Sequence, residues 1–279
     1  MASAVLETQG LIRTYGKHAV LSGVDLKVEA GQIYGFLGRN GAGKTTTIRI
    51  LMGIMQADSG TVSILGETRR RPSTAQKRHI GYVAQEQNFY PWMTCAQLAA
   101  FVRPFYPSWD DAESARLFSI FSLPPDRKVS QLSQGMKVKL ALALALAPRP
   151  PLLILDEPTA GLDPVARREF LELIHHHART THRTVFFSSH LVDEVERVAD
   201  QVGILEAGRL VYQGSLDTLR ATVRRVPLGP VDQKLQVLRQ DSEGVVCRAP
   251  PEVWDKIELS HQTLSLDDIF IALVGQATS

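Results

Sequence analysis

Residues 38–45 read Gly-Arg-Asn-Gly-Ala-Gly-Lys-Thr, the spacing Gly-x-x-x-x-Gly-Lys-Thr. Glycines at these positions let backbone N–H groups close around phosphate oxygens, and a helix starting at the lysine adds its positive end. Lys44 is then placed to reach the β- and γ-phosphates of a nucleoside triphosphate. The Thr45 hydroxyl can ligate Mg²⁺, while Arg39, Asn40, Ala42 and Thr46 complete the loop and the helix entry. This chemistry needs a strand before the loop and a helix after it. QIYGFLG (32–38) has the apolar run of a buried strand, and TTTIRILMG (45–53) reads as a helix.

A second constellation is LLILDEPTAGLD (152–163). Four apolar residues place Asp156 at the C-terminal end of a strand, where open α/β sheets gather ligand chemistry. Asp156 suits a metal ion, held directly or through water, and Glu157 is positioned to orient or deprotonate an attacking water. A third is LSQGMK (132–137). Ser133 and Gly135 open a long helix whose free hydroxyl and N–H groups form an anion site. An isolated serine there would be an ordinary cap. The Lys44 loop already supplies one helix terminus to the phosphates, so a second suggests a nucleotide held by another subunit.

The rest of the chain has to position these groups. Its 279 residues allow one large domain with a smaller appendage, and 44% hydrophobic and 22% charged content are ordinary for a globular protein. A net charge of +2 gives no reason to expect nucleic acid or anionic lipid as a general partner. Cys95 and Cys247 lack metal-type spacing, and a reducing cytosol fits them better than a disulfide. The start MASAVLETQG does not read as a signal peptide, and the longest apolar run, LALALALA (140–147), is too short to cross a bilayer. Residues 1–66 alternate like antiparallel strands around one helix, and 86–147 look helical, with LALALALA buried all round. From 151, apolar strands (152–156, 183–189, 201–206) alternate with amphipathic helices (164–180, 191–200), the pattern of a parallel sheet with covering helices. A hairpin turning at Ala207-Gly208 follows. Prolines 227, 230, 250 and 251 break up the remainder, residues 221–279, which we read as a small extension.

In this order the motifs resemble the nucleotide-binding subunits of ABC transporters over about residues 4–220. Tyr15 stands where the family has its adenine-stacking aromatic. GRNGAGKT, Gln85 in YVAQE, LSQGM, LLILDE, the turn ending at Asp163, and His190 in SSHLVDEV follow in sequence. The resemblance implies an α/β P-loop NTPase of ABC type, with a RecA-like core, an antiparallel β-subdomain and a helical subdomain at about 86–147. It implies ATP and Mg²⁺ as ligands, and a head-to-tail dimer in which Ser133 and Gly135 of one subunit cover the γ-phosphate held by Lys44 of the other. Gln85 would reach the metal or the attacking water and sense a transmembrane partner, and His190 would donate to the γ-phosphate. His175, His176 and His177, on one helix, are expected on a solvated face. The signature reads LSQGM where LSGGQ is usual. That variant, with the ending SLDDIFIALVG (265–275), resembles subunits paired with separate two-component export permeases.

Aromatics concentrate at Phe89, Tyr90, Trp92, Phe101, Phe105, Tyr106 and Trp109. In the family this stretch receives short helices of the membrane subunit. Aromatics are favoured interface anchors, and Phe89, Tyr90 and Trp92, nearest Gln85, are the expected contacts. The expected location is cytoplasmic, on the inner face of the cell membrane. The alternative is a soluble ABC-type ATPase outside transport. Such proteins usually carry a long coiled-coil insertion, zinc-binding cysteines or two nucleotide domains, and this chain has none of these signatures. Asn40 and Asn88 are the only asparagines, so the guanine-reading Asn-Lys-x-Asp motif is absent.

Overall fold

A computed structural model of the chain describes residues 4–257 and 259–275. The extreme N-terminal MAS and the residues after Gly275, included in the readings above, lie outside the described residues. Strands β1 (Ala4–Tyr15) and β2 (His18–Glu29) lead to β3 (Ile33–Gly38), the phosphate loop and α1 (Lys44–Leu51). Next come β4 (Ser59–Ile64), β5 (Glu67–Arg69), the one-turn α2 (Thr74–Lys77) and β6 (Ile80–Val83). Helices α3 (Cys95–Val102), α4 (Asp111–Ile120) and α5 (Gln134–Leu146) form the middle of the chain. Then β7 (Leu152–Leu155), α6 (Pro164–Thr181), β8 (Thr184–Ser189), α7 (Val192–Val198), β9 (Gln201–Glu206) and β10 (Arg209–Ser215) alternate. The last part comprises α8 (Leu216–Thr222), β11 (Val223–Val226), β12 (Gln236–Asp241), β13 (Gly244–Arg248), α9 (Pro251–Trp254), β14 (Gln262–Thr263) and α10 (Leu266–Val274).

The central sheet has the order β10-β9-β3-β8-β7-β6, parallel except for the β9–β10 hairpin. Every residue of β3, β7 and β8 is buried, as expected of strands covered on both faces. Leu155 pairs with Phe187 across β7–β8, and Leu37 with Ser189 across β3–β8. Strand β8 therefore stands between the strand that feeds the Gly38–Thr45 loop and the strand that ends just before Asp156. A separate antiparallel sheet, β2-β1-β4-β5, packs on one side. Its core shares Leu21, Val24 and Leu26 with Tyr34, Phe36 and Ile48. The other face is covered by α5, whose residues Leu140–Leu146 are all buried, as the LALALALA run requires.

The 86–147 stretch holds three helices, but residues 84–94 are irregular and short 3₁₀ turns fall at Arg103–Phe105 and Val129–Gln131. The C-terminal part has its own sheet, β12-β13-β11-β14, around Trp254, Val245 and Cys247. Helix α10 returns from it to the main core through Leu266, Ile269 and Leu273. Cys95 and Cys247 are free and buried in different clusters.

One expectation fails. His177 is 8% exposed, whereas His176 is exposed. On α6 it follows Phe170 and Ile174 at helical spacing and so shares their inward face. Its Nε2 accepts from Arg183 Nη1 at 2.7 Å, so that nitrogen carries no proton. Burial and the Arg183 charge pull the His177 imidazole down to about 4.

Candidate functional site

At the end of β3 the chain turns through Gly41 (φ 83°) and Gly43 (φ 111°), both left-handed. A Cβ on Gly43 would stand 2.7 Å from Leu21 Cδ2 and 2.9 Å from the Val20 carbonyl, so only glycine fits. Helix α1 starts at Lys44 with no side chain capping it, although Ser73, Thr94, Asp110, Ser133 and Asp163 cap other helices. Its first-turn N–H groups are thus open to an anion. They face a cavity of about 470 Å³ lined by His18, Val20, Asn40, Gly41, Gly43, Lys44, Thr45, Thr46, Gln85 and Glu157.

Lys44 is 4% exposed. Its Nζ donates to the carbonyls of Gly38 (2.7 Å) and Arg39 (3.1 Å) and lies 3.1 Å from Glu157 Oε1. Thr45 Oγ1 donates to Asp156 Oδ1 at 3.1 Å, and Ser188 Oγ donates to the same oxygen at 3.0 Å. Burial raises the Asp156 carboxyl above its ordinary range, opposed by the hydrogen bonds from Ser188 and Thr45 and reinforced by the Glu157 charge. Burial, with the Asp156 charge beside it, also pushes the Tyr82 phenol up to about 12.

Glu157 has a left-handed backbone, φ 41°, uncommon for a residue with a Cβ. Its N–H donates to Ser188 Oγ at 2.9 Å. Its second oxygen, Oε2, lies 3.2 Å from His190 Nδ1 and 3.5 Å from Gln85 Nε2. An ionised carboxylate only accepts, so Nδ1 carries the hydrogen in this pairing and Nε2 faces away from it. Lys44, Gln85, His190 and Glu157, spread over the sequence, thus meet at one carboxylate on the cavity wall.

The donor set fits a triphosphate with Mg²⁺. An open helix terminus and a buried ammonium suit the phosphates. A hydroxyl (Thr45), a carboxylate (Asp156) and an amide oxygen (Gln85) suit a small oxygen-seeking ion that keeps waters and phosphate ligands. Among the described residues no group of three or more His, Cys, Asp or Glu side chains could hold a metal ion.

The other expected residues fall elsewhere. Tyr15 is not among those lining the cavity: its ring carries the Arg13 guanidinium 4.9 Å from its centroid, and its hydroxyl contacts Met55 Sδ. Across the turn from it, His18 and Val20 line the cavity instead. Ser133 caps α5, accepting from Met136 N at 3.3 Å, and Gly135 lies in the first turn, where an added Cβ would meet only Leu162 Cδ2, at 3.7 Å. Asp163 caps α6, and the N–H groups of Ala166 and Val165 hold its carboxyl below the usual range. None of these three lines the cavity. Gln134 Nε2 donates to Gln87 Oε1 at 3.1 Å, joining the α5 entry to the Gln85 loop.

Of the aromatics, Phe89 turns inward, half-buried against the core. Tyr90, Trp92, Phe101 and Phe105 are exposed, with ring centroids 5.2 Å apart for Trp92–Tyr90, 5.5 Å for Tyr90–Phe101 and 5.8 Å for Phe101–Phe105. No helix among the described residues is long and apolar enough to cross a membrane.

Comparison with known proteins agrees with the geometry. Residues 21–160 match the family model described as ABC transporter. The chain is 31% identical to the ABC transporter ATP-binding protein YtrB of Bacillus subtilis, covering 97% of this chain and 98% of that one. It is 37% identical to the bacitracin transport ATP-binding protein BcrA of Bacillus licheniformis, covering 80% and 74%. The solved ATP-binding subunit of an ABC transporter superposes with a TM-score of 0.70 at 31% identity, covering 77% of this chain and 92% of that one.

Proposed function

The chain belongs to the ABC transporter family, whose cassettes hydrolyse ATP, and from that premise we propose that it is the ATPase subunit of a membrane exporter. Two copies sandwich two ATP–Mg²⁺ head to tail, and a separate transmembrane permease carries the cargo. The permease holds the chain at the inner face of the cell membrane. The relative named for bacitracin transport supports the transporter reading.

The observation that carries the catalytic part is the convergence of Lys44, His190 and Gln85 on Glu157 beside an uncapped helix terminus. Lys44 and the first-turn N–H groups of α1 bind the phosphates. Thr45 and Asp156, already 3.1 Å apart, hold the metal with Gln85. When bound, Mg²⁺ neutralises charge that develops on the phosphates. Glu157 Oε2 accepts a proton from the attacking water while His190 and Gln85 fix its direction. His190 Nε2 remains available to the γ-phosphate side.

Ser133, Gly135 and Asp163 stand outside the cavity of their own chain, which supports a role in covering the nucleotide of a second copy. Helix α5 offers that copy its N-terminal end. The exposed ladder from Trp92 to Phe105, with half-buried Phe89 near Gln85, supports docking of a permease segment.

Purification of the tagged chain from detergent-solubilised membranes of its own cells tests the proposal. Capture of a multispan membrane protein that stimulates ATP hydrolysis supports it. Recovery from the soluble fraction with a nuclease or a ribosome factor would replace it with a soluble ATPase role.

A further inference from the structure

Glu194, on the first turn of α7, is 1% exposed. A buried carboxylate is costly unless its oxygens are satisfied, and here each partner comes from a different part of the site. Thr159 Oγ1 donates to Oε1 at 2.6 Å, and Ser189 Oγ donates to Oε2 at 2.5 Å. Arg167 Nε lies 3.4 Å from Oε1, a charge contact without a well-aligned hydrogen bond. Thr159 stands two residues after Glu157, and Ser189 immediately precedes His190. Arg167 is on α6, the helix that Asp163 caps.

The geometry points to Glu194 as a positioning residue for hydrolysis, the common anchor of the turns that carry Glu157, His190 and Asp163. This rests on the reading of Glu157 and His190 as the catalytic pair. Both residues follow the C-terminal ends of the neighbouring parallel strands β7 and β8, and their side chains must meet within hydrogen-bond distance. Ser188 joins the two strand ends on one side, through the Glu157 N–H. Glu194 joins them on the other, through Thr159 and Ser189. The Glu157 backbone sits in a left-handed conformation that persists only where its surroundings hold it, and the Thr159–Glu194 contact lies directly downstream of it. Ser189 Oγ also accepts from Leu191 N at 2.9 Å, so its position is fixed from both sides. Misplacement of a catalytic group by about 1 Å can cost on the order of a hundredfold in rate.

The test is steady-state and single-turnover ATP hydrolysis by Glu194→Gln, alone and combined with Glu157→Gln. Glu194→Gln keeps the shape but removes one of two acceptors, so kcat should fall by about tenfold or more while KM for ATP changes by less than about threefold. In the Glu157→Gln background the same change should cost little further, because it acts through Glu157. Thr159→Val, which loses only the hydroxyl contact, should reproduce part of the kcat loss, and it carries the test if Glu194→Gln does not fold. A lowered melting temperature with kcat of the folded protein unchanged would overturn the inference. So would equal losses in both backgrounds. Undiminished turnover in Glu157→Gln alone would instead overturn the catalytic assignment on which the inference stands.

Discussion

Lys44 Nζ lies 3.1 Å from Glu157 Oε1, with both side chains buried. The other two ammonium hydrogens are committed to the Gly38 and Arg39 carbonyls, so the contact to Glu157 is the one open to exchange. A phosphate oxygen entering the cavity competes for that third hydrogen. Under the proposed function, transfer of Lys44 from the carboxylate to the phosphate would take its charge off Glu157 Oε1 as the nucleotide binds. On that reading, nucleotide binding and the environment of Glu157 are linked through one side chain.

Lys44→Ala should abolish ATP turnover and weaken nucleotide binding by about ten- to a hundredfold, the equivalent of a lost charge-assisted contact of about 1.5–3 kcal/mol. The same change strips two loop carbonyls of their donor and leaves Glu157 without its ammonium. Stability should therefore also drop, by roughly 1–3 kcal/mol. Calorimetric titration with an ATP analogue and thermal denaturation measure the two effects. Near-normal turnover in a folded variant would refute the assignment.

Glu157→Gln should bind ATP and hydrolyse it roughly a hundredfold or more slowly, the scale of a lost general base. The intact γ-phosphate should then hold two copies together. Size-exclusion chromatography with ATP and Mg²⁺ is expected to show a dimer for the variant. A monomer at every ATP concentration would count against a homodimeric sandwich.

Much of this site was legible from local patterns. The apolar run before Gly38 and the helix after Thr45 fix where a phosphate loop sits, and β7 ends at Leu155, directly before Asp156, as its four apolar residues imply. The contacts that assemble the pieces were not legible. Ser188 reaches Asp156 and the Glu157 N–H only because β8 lies between β3 and β7, and strand order is a tertiary property that no spacing records. Glu194 finds Thr159 from 35 residues away for the same reason. The doubled serine before His190 was a signal in retrospect, since two adjacent strand residues face opposite sides and can serve two partners. His177 was readable: its spacing from Phe170 and Ile174 places it inward, and the run of three histidines obscured that. His18 enters the cavity through the β1–β2 turn, whose geometry follows from register rather than from residue type.

His177 should make stability depend on acid. Its ring is neutral in the folded protein down to about 4, whereas in the unfolded chain it protonates near the ordinary value of about 6.5. Between those values the unfolded state holds the extra proton, so stability falls as pH is lowered through the window and is flat above it. The full effect is at most about 3 kcal/mol. His177→Gln keeps an acceptor for Arg183 but does not titrate. Urea denaturation at pH 7.5 and 4.5 should show a smaller acid loss for the variant. Equal losses in both proteins would mean that His177 is not the titrating group.

Trp92 separates docking from folding. It is 64% exposed, and its ring meets only the similarly exposed Tyr90 among the aromatic pairs of the described residues. Truncating a core tryptophan costs about 3–5 kcal/mol of stability, but a side chain this exposed has little of that to lose. Trp92→Ala should therefore leave the melting temperature and the basal ATPase rate of the isolated chain near their original values. If it anchors a permease segment, the same change should weaken that complex by about 2 kcal/mol or more. Co-purification with the membrane subunit, and stimulation of hydrolysis by it, should then both fall. The reverse pattern, a destabilised chain whose docking is untouched, would make the Tyr90–Trp92 ladder a packing element. The permease contact would then have to be sought closer to Gln85, in the groove that half-buried Phe89 shares with Tyr82, Val102 and Tyr106.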